Sequence, residues 1–192
     1  MGTKESCAKT VESAYCTTKK VKKMTEEEYQ YLWNKRYQLK VRVLANRIYQ
    51  QERQRRFDFR EGAVKAMSII AGSVAFINIA NQDLIKWCLF LITAFNVISL
   101  VFGYGAKARD GGKRAGDWTL LERDIDIVGE RDFTEQQLNE WLGRCNEIEA
   151  GEPAAHQTLM EISTKRANNA LGGEYELQLT RFQKVMPIIC IP

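Results

Sequence analysis

This chain has little of the chemistry on which most enzymes and metal proteins depend. Its 192 residues include three prolines and only one histidine, His156. No Ser/His/Asp arrangement can be placed, and no glycine-rich phosphate loop follows a predicted strand. The five cysteines have no CxxC spacing, so neither a zinc site nor a disulfide framework is indicated. We therefore expect no enzymatic activity, no cofactor and no metal, with His156 at the surface or between helices.

A signal peptide and a large excess of charge are also missing. The first twenty-odd residues are rich in Lys, Ser and Thr and lack the apolar core of a secretory signal, so we expect no cleaved leader. The formal net charge is only +4, which is too small to demand a nucleic-acid partner. The mean hydropathy of −0.36 is that of a soluble protein. These averages conceal a strong local pattern in the middle of the chain.

Two long apolar runs lie in this otherwise polar chain, over residues 63–82 and 84–105. Each is close to the roughly 20 residues that a helix needs to cross a ~30 Å hydrocarbon layer. Because only a short polar segment separates them, they predict a two-helix transmembrane hairpin over residues 63–106. The alternative is a soluble all-α protein with both helices in its centre. The remaining segments are short and amphipathic, however, and have too little apolar surface to cover two such helices.

Basic residues flank the hairpin and are absent from its turn. Four precede the first run and four follow the second: Arg53, Arg55, Arg56, Arg60, Lys107, Arg109, Lys113 and Arg114. The positive-inside rule then predicts a multi-pass membrane protein with both termini in the cytoplasm. These eight residues either contact lipid headgroups or form a collar that binds an anionic ligand. We expect no stacking aromatic residues beside them and no direct binding of nucleic acid.

A long cytoplasmic helix is predicted before the hairpin, over residues 24–62, after a disordered tail at 1–23. Thr25 and Glu28 match a capping box. Apolar residues then recur at spacings of three and four: Tyr29, Trp33, Tyr37, Val41, Leu44 and Ile48. No proline or glycine interrupts the chain before Gly62, so this helix should run unbroken to the membrane, over about 55 Å at 1.5 Å per residue.

A helical region that packs on this stalk is predicted over residues 107–173, followed by a C-terminal tail at 174–192. We expect the second membrane helix to break at four glycines: Gly103, Gly105, Gly111 and Gly112. An apolar stripe then runs from Trp118 to Val128, and a capping box at Thr134 begins a helix that Gly151 ends. Pro153 suits the first turn of the next helix. The predicted fold is all-α, a transmembrane hairpin with a cytoplasmic antiparallel helical bundle.

The order of these parts resembles the SLATT domains, which have a basic juxtamembrane helix, two membrane helices and a charged cytoplasmic region. The most specific stretch is 133–153, which ends in a family-like motif: Ile148, Glu149, Glu152 and Pro153. The resemblance covers roughly residues 30–170. It implies no catalytic residue. It implies a membrane effector of a bacterial anti-phage system, switched on by an infection-sensing partner such as a cyclic-oligonucleotide synthase, a SLOG protein or a reverse transcriptase.

The hairpin carries small and polar residues that could pack helices or line a pore: Ser68, Ala71, Gly72, Ala75, Asn78, Asn96, Ser99 and Gly103. At 1.5 Å per residue, Asn78 and Asn96 lie about 6 Å and 20 Å below the turn, so they should not pair within one chain. Each asparagine either makes a hydrogen bond between helices or lines an aqueous path. Since two helices cannot enclose a channel, a pore requires a homo-oligomer in the lipid bilayer. The alternative function is a membrane-anchored scaffold for a cytoplasmic enzyme.

Overall fold

Five helices account for most of the residues that the computed structural model describes, 25–77 and 82–176. They are α1 (Glu26–Ile77), α2 (Gln82–Phe102), α3 (Tyr104–Ile127), α4 (Glu135–Ala150) and α5 (Gln157–Ala170). No strand occurs in these two ranges, so the all-α prediction is confirmed. The predicted tail at 1–23, most of the tail at 174–192, and Asn78 lie outside the described residues.

Contacts divide the chain into two units, Met1–Asn34 and Lys35–Pro192, and the first contains the start of α1. The Thr25 hydroxyl accepts a hydrogen bond from the Glu28 N–H at 3.3 Å, and the Glu28 carboxylate accepts one from the Thr25 N–H at 3.1 Å. This is the predicted capping box, which satisfies two donors that helix geometry leaves unpaired. Acidic residues in the first turn also oppose the positive end of the helix dipole.

In the second unit, α1 is the central helix, and its most buried face differs from the predicted stripe. Buried positions alternate at spacings of three and four, as in a heptad repeat: Arg36, Leu39, Val43, Asn46, Gln50, Arg53 and Phe57. We call this face the α1 seam. Tyr37, Val41 and Ile48 of the predicted stripe are only half-buried. Because four of the seven seam residues are polar, a search for apolar periodicity does not find the seam.

Helix α3 lies antiparallel to α1 along this seam. Near one end, the Arg36 guanidinium donates to the Ile125 carbonyl at 3.1 Å. Further along, a Cβ on Gly111 would lie only 3.4 Å from both Cβ and the backbone N of Gln54. The two backbones therefore approach closely at Gly111, because no side chain stands between them.

The predicted glycine break is confined to a single residue, so that part of the prediction was wrong. Gly103 has φ 58°, in the left-handed region that favours glycine, and α3 begins at the next residue. Gly105, Gly111 and Gly112 lie inside α3. At Gly111 and Gly112 the missing side chains face Gln54 of α1. These two glycines therefore serve close helix packing, whereas Gly103 marks the junction of α2 and α3, which both run antiparallel to α1.

Helices α3 and α4 pack together. Helix α4 begins at the predicted capping box, since the Thr134 hydroxyl accepts from the Gln137 N–H at 3.3 Å and the Gln137 side chain accepts in return. Gly151 caps its C-terminal end, as predicted. The buried faces of the two helices carry Trp118, Leu121, Ile125, Leu138, Trp141 and Cys145. Together with α1 they form a helical bundle.

Helix α5 covers a second side of α1. Ala167 packs with Leu44 and Ala45, and Val41 and Ile48 of the predicted stripe contact this cluster. The placement of Pro153 in the first turn of this helix was wrong. Pro153 lies in the preceding loop and His156 is the N-cap, with its backbone N–H donating to the Tyr49 hydroxyl at 3.0 Å. The hydrogen bond to Tyr49 holds His156 in an extended conformation against α1, so α5 begins at Gln157 and not at Pro153.

Candidate functional site

The C-terminal part of α1 and helix α2 form an antiparallel pair outside the bundle, which we call the apolar pair. Its inner faces carry mostly small or apolar residues. On α1 the half-buried positions are Val64, Ser68, Ala71, Gly72 and Ala75, and on α2 the covered positions include Ile85, Cys88, Ile92, Phe95 and Ser99. A Cβ on Gly72 would lie 3.9 Å from the Ile92 side chain. The two helices therefore meet along the small-residue face that the sequence contains.

The outer surface of the apolar pair is exposed and mainly apolar. Its largest exposed side chains include Ile69, Ile70, Trp87, Leu89, Phe90, Val97, Leu100 and Val101. Within the described ranges, one helical stretch, Ile85–Ile127, is long and apolar enough to cross a membrane, and only 6% of its most apolar part is buried. The first run continues into residues 78–81, which fall outside those ranges. Soluble monomers rarely expose an apolar surface of this extent.

The polar residues of the apolar pair are satisfied mainly within their own helices. The Asn96 side-chain amide donates to the Ile92 carbonyl at 2.8 Å, a backbone group of its own helix. Ser73 and Thr93 make the same kind of bond four residues back. The Ser68 hydroxyl is buried and has no hydrogen-bond partner among the described residues. Asn96 is exposed on the outer surface of the apolar pair.

An aromatic and basic cluster lies where the apolar pair joins the bundle. The Phe57 ring is 1% exposed and lies 6.4 Å from the Tyr104 ring, which stacks at 5.6 Å on Phe102. The cations of Arg53, Arg60 and Lys107 lie 5.6 to 5.8 Å from the centre of the Phe57 ring. We call Phe57, Tyr104 and these three cations the Phe57 cluster. The expectation that no aromatic residues stack beside the basic residues was wrong.

The remaining basic residues around this junction differ in environment. Arg55, Arg109 and Lys113 are exposed. Arg114 pairs with Asp110 at 2.9 Å and also donates to the Gly151 carbonyl. Burial lowers the pKa of the half-buried Arg56, and repulsion from Arg166 and Arg60 lowers it further, against the attraction of Glu52. The eight predicted collar residues thus form no uniform ring, and three of them converge on one aromatic side chain.

Sequence reasoning missed this cluster although a local signal was present. Arg53 precedes Phe57 by four residues and Arg60 follows it by three, which places all three on one helix face. Tyr104 and Lys107 repeat the three-residue spacing on α3. Bringing the two segments together required the antiparallel pairing of α1 with α3, which no local pattern specifies.

The family-like motif at the end of α4 makes hydrogen bonds with residues of α1 and α3. Glu149 binds Arg42 and also accepts from the Asn46 amide at 3.0 Å, while Glu152 accepts from the Trp118 indole N–H at 2.7 Å. Burial raises the pKa of Glu152, against hydrogen bonds from Trp118 and Gln50 that lower it. Ile148 is half-buried and Pro153 is exposed. This arrangement is a structural corner in which Glu149 of α4 binds donors of α1, and Glu152, just after α4, binds a donor of α3.

Two further side chains of the bundle that could carry chemistry are the buried Cys145 thiol and the His156 imidazole. Burial raises the pKa of the Cys145 thiol to about 11, so the thiol stays protonated at neutral pH. The Nδ1 atom of His156 is buried without a hydrogen-bond partner among the described residues. No group of three or more His, Cys, Asp or Glu residues that could hold a metal ion occurs within 25–77 and 82–176.

Comparison with protein-family models, curated proteins and solved structures finds no match to this chain. The class is therefore defined by the fold and by the surface just described. The chain is an all-helical protein that combines a helical bundle with a helix long and apolar enough to cross a membrane.

Proposed function

We propose that this protein is a membrane effector, which oligomerises and permeabilises or depolarises the inner membrane when an infection-sensing partner triggers it. The observation that carries the proposal is the exposed apolar surface of the apolar pair. Water is a poor solvent for such a surface, whereas lipid tails cover it at no cost. The resemblance to SLATT domains supplies the effector role, and it assigns no catalytic step to the chain.

The proposed topology is a two-span hairpin with both termini in the cytoplasm. Basic residues at the bundle end of the apolar pair support this orientation, because cytoplasmic flanks carry an excess of Lys and Arg. At the opposite end, Lys86 pairs with Asp83 at 3.1 Å, which reduces the positive charge that the turn presents. The bundle then lies in the cytoplasm, where a cyclic-oligonucleotide synthase, a SLOG protein or a reverse transcriptase would reach it.

Oligomerisation follows from the size of the hairpin, since two helices cannot enclose a channel. Helices associate in lipid through close packing and interhelical hydrogen bonds. The small-residue face is already used within the chain, so contacts between copies would use the outer surface around Asn96. No Asp or Glu lies near the middle of either run, so a non-selective leak fits better than a cation filter.

The proposal is tested by expressing the chain in bacteria, with a candidate partner, and following a potential-sensitive dye and a membrane-impermeant dye. We expect loss of membrane potential and dye entry to precede the arrest of growth. A membrane potential that stays intact while growth stops would exclude the effector mechanism.

A membrane-anchored scaffold is the second candidate, favoured by apolar side chains that the bundle leaves uncovered. Ile127 is 73% exposed and Leu120 is 43% exposed on α3, well away from the apolar pair. Exchanging residues 63–106 for an unrelated two-span anchor separates the two functions. A scaffold should work with either anchor, whereas an effector should lose its activity although the exchanged chain still reaches the membrane.

A further inference from the structure

We propose that the Phe57 cluster is a binding site for a phosphate group, that of an acidic phospholipid at the membrane surface. The inference rests on the proposed function, since it requires the apolar pair to lie in a bilayer. It goes beyond that function by assigning one specific ligand group to one set of side chains.

The first argument is the convergence of positive charge. Three cations surround a single phenyl ring, and Arg60 also lies 5.9 Å from the centre of the Tyr104 ring. The quadrupole of a phenyl ring attracts cations, but the ring carries no net negative charge. The ring therefore does not cancel the mutual repulsion of the three like charges, each of which lies within 5.8 Å of its centre. An anion between them would remove that repulsion.

The second argument is a buried donor that lacks an acceptor. Arg53 is 8% exposed, and its Nη1 atom is buried with no hydrogen-bond partner among the described residues. An unpaired charged donor in the interior is costly. Arg53 is buried and supplies positive potential beside the ring, while Arg60 and Lys107 are half-buried and so remain accessible to a phosphate.

Carboxylates near the cluster are engaged with other cations. Glu52 pairs with Arg166 at 2.6 Å, Glu61 pairs with Lys65 at 2.6 Å, and Asp110 pairs with Arg114. Asp58 is exposed. Lys107 makes no ion pair with any of the described residues. Lys107 therefore brings to the ring a positive charge that no carboxylate of the described residues neutralises.

The position of the cluster favours a lipid over a soluble phosphate. Phe102 is the last residue of α2 and stacks on Tyr104, so the ring stack joins the apolar pair directly to the cations. A lipid headgroup lies at this level when the acyl chains cover the apolar pair. Aromatic and basic side chains are the usual residues of that interface.

The test uses the full chain in a neutral detergent, with short-chain phosphatidic acid, matched phosphatidylcholine and inorganic phosphate as separate probes. Binding is measured by native mass spectrometry and by the shift in unfolding temperature. We expect phosphatidic acid to bind preferentially, and Arg60→Gln and Lys107→Gln each to weaken it roughly fivefold, since a basic group near anionic lipid contributes about 1 kcal/mol. Lys107→Arg should retain binding.

The matched control is Arg131→Gln, which removes the same charge from an exposed position between α3 and α4. Equal weakening by Arg131→Gln would overturn the site in favour of diffuse charge. Equal affinity for inorganic phosphate would assign the site to a soluble ligand and overturn the lipid source. Flotation with phosphatidylcholine vesicles separates the two proposals. If the wild-type protein floats with the vesicles but does not prefer phosphatidic acid, only the phosphate site is overturned. If the protein does not float, the proposed membrane function is overturned.

Discussion

Two glycines of α3 differ in what a side chain at their positions would meet. A Cβ on Gly111 would lie 3.4 Å from both Cβ and the backbone N of Gln54, whereas a Cβ on Gly116 would meet nothing within 4 Å. Both residues are in the helix interior, where glycine costs roughly 0.5–1 kcal/mol relative to alanine. Alanine at Gly116 therefore changes helix propensity alone, whereas alanine at Gly111 changes both helix propensity and packing against α1.

Gly116→Ala should raise the free energy of unfolding by about 0.5–1 kcal/mol, because it gains helix propensity without a clash. Gly111→Ala should gain less, and Gly111→Leu should cost about 1–3 kcal/mol by forcing α1 and α3 apart. Denaturant unfolding followed by circular dichroism in detergent measures these differences. An equal gain from alanine at both positions would contradict the close approach at Gly111.

Glu152 gives the bundle a dependence on pH. Burial raises its folded-state pKa above the ordinary value of 4.5, so the folded chain binds more protons than the unfolded chain in that range. Its contribution to stability is therefore greatest below pH 4.5 and decreases as the pH rises through the raised pKa. Glutamine at this position still accepts from the Trp118 indole and does not ionise.

Glu152→Gln should therefore gain stability relative to the wild type as the pH rises from about 4.5 towards neutrality. The measurement is the unfolding temperature of both chains at a series of pH values in one detergent. A difference that stays constant with pH, or that favours the wild type as the pH rises, would contradict the raised pKa.

At the scale of the elements, α1 has two different roles along one continuous helix. Its first part presents the α1 seam to the bundle, with polar residues that bond to neighbouring helices, such as Asn46 to Glu149. Its last part presents small residues to α2 and apolar residues outward. The environment around α1 thus changes near Phe57 although the backbone does not break.

Pairing of α1 with α2 depends on the space at Gly72. Gly72→Ala should be tolerated, because the new methyl group would lie in ordinary contact 3.9 Å from the Ile92 side chain. Gly72→Leu should lower the unfolding temperature in detergent and reduce the dissipation of membrane potential, because the larger side chain overfills the contact.

The matched control for the Gly72 variants is Ser73→Leu, one residue further along the same helix and exposed. It adds apolar volume on the outer surface and should leave the unfolding temperature close to that of the wild type. Comparable destabilisation by Ser73→Leu and Gly72→Leu would mean that the small-residue face does not hold the pair together.

At the scale of the whole molecule, the core of the bundle lies outside the apolar pair. Its largest buried side chains are Trp118, Phe57, Leu121, Ile125, Leu138 and Leu159. The two ends of the apolar pair are also neighbours, since the Glu61 carboxylate lies against Gly105. The chain can therefore be closed over a short distance without the apolar pair.

Replacing residues 63–103 by a short Gly/Ser loop should give a chain that is soluble without detergent and keeps its helical bundle. The expected result is a helical circular dichroism spectrum with a cooperative thermal transition, while the full chain requires detergent or lipid. Aggregation or loss of cooperative unfolding in the shortened chain would mean that the bundle depends on the apolar pair for its stability.

Local features of this fold were predictable because they depend on neighbours in sequence. The capping boxes at Thr25 and Thr134 and the helix end at Gly151 occur as predicted. The α1 seam was not predictable, because its polar residues are hydrophilic, and Arg36, Asn46 and Gln50 become acceptable in the interior through hydrogen bonds to groups outside α1. The role of Gly111 was missed for the same reason, since glycine signals a break unless another helix lies against it.

The sequence by itself determined the helices, their caps, the two apolar runs and the basic residues beside them. Hydrogen bonding within a helix and the hydropathy of a run depend on residues close together in the chain. Only the tertiary structure decided which face of α1 is buried and which cations gather at Phe57. Those outcomes depend on contacts between residues far apart in the chain, 89 positions for Arg36 and Ile125 and 103 for Asn46 and Glu149, and the pairing is set by packing of the whole bundle.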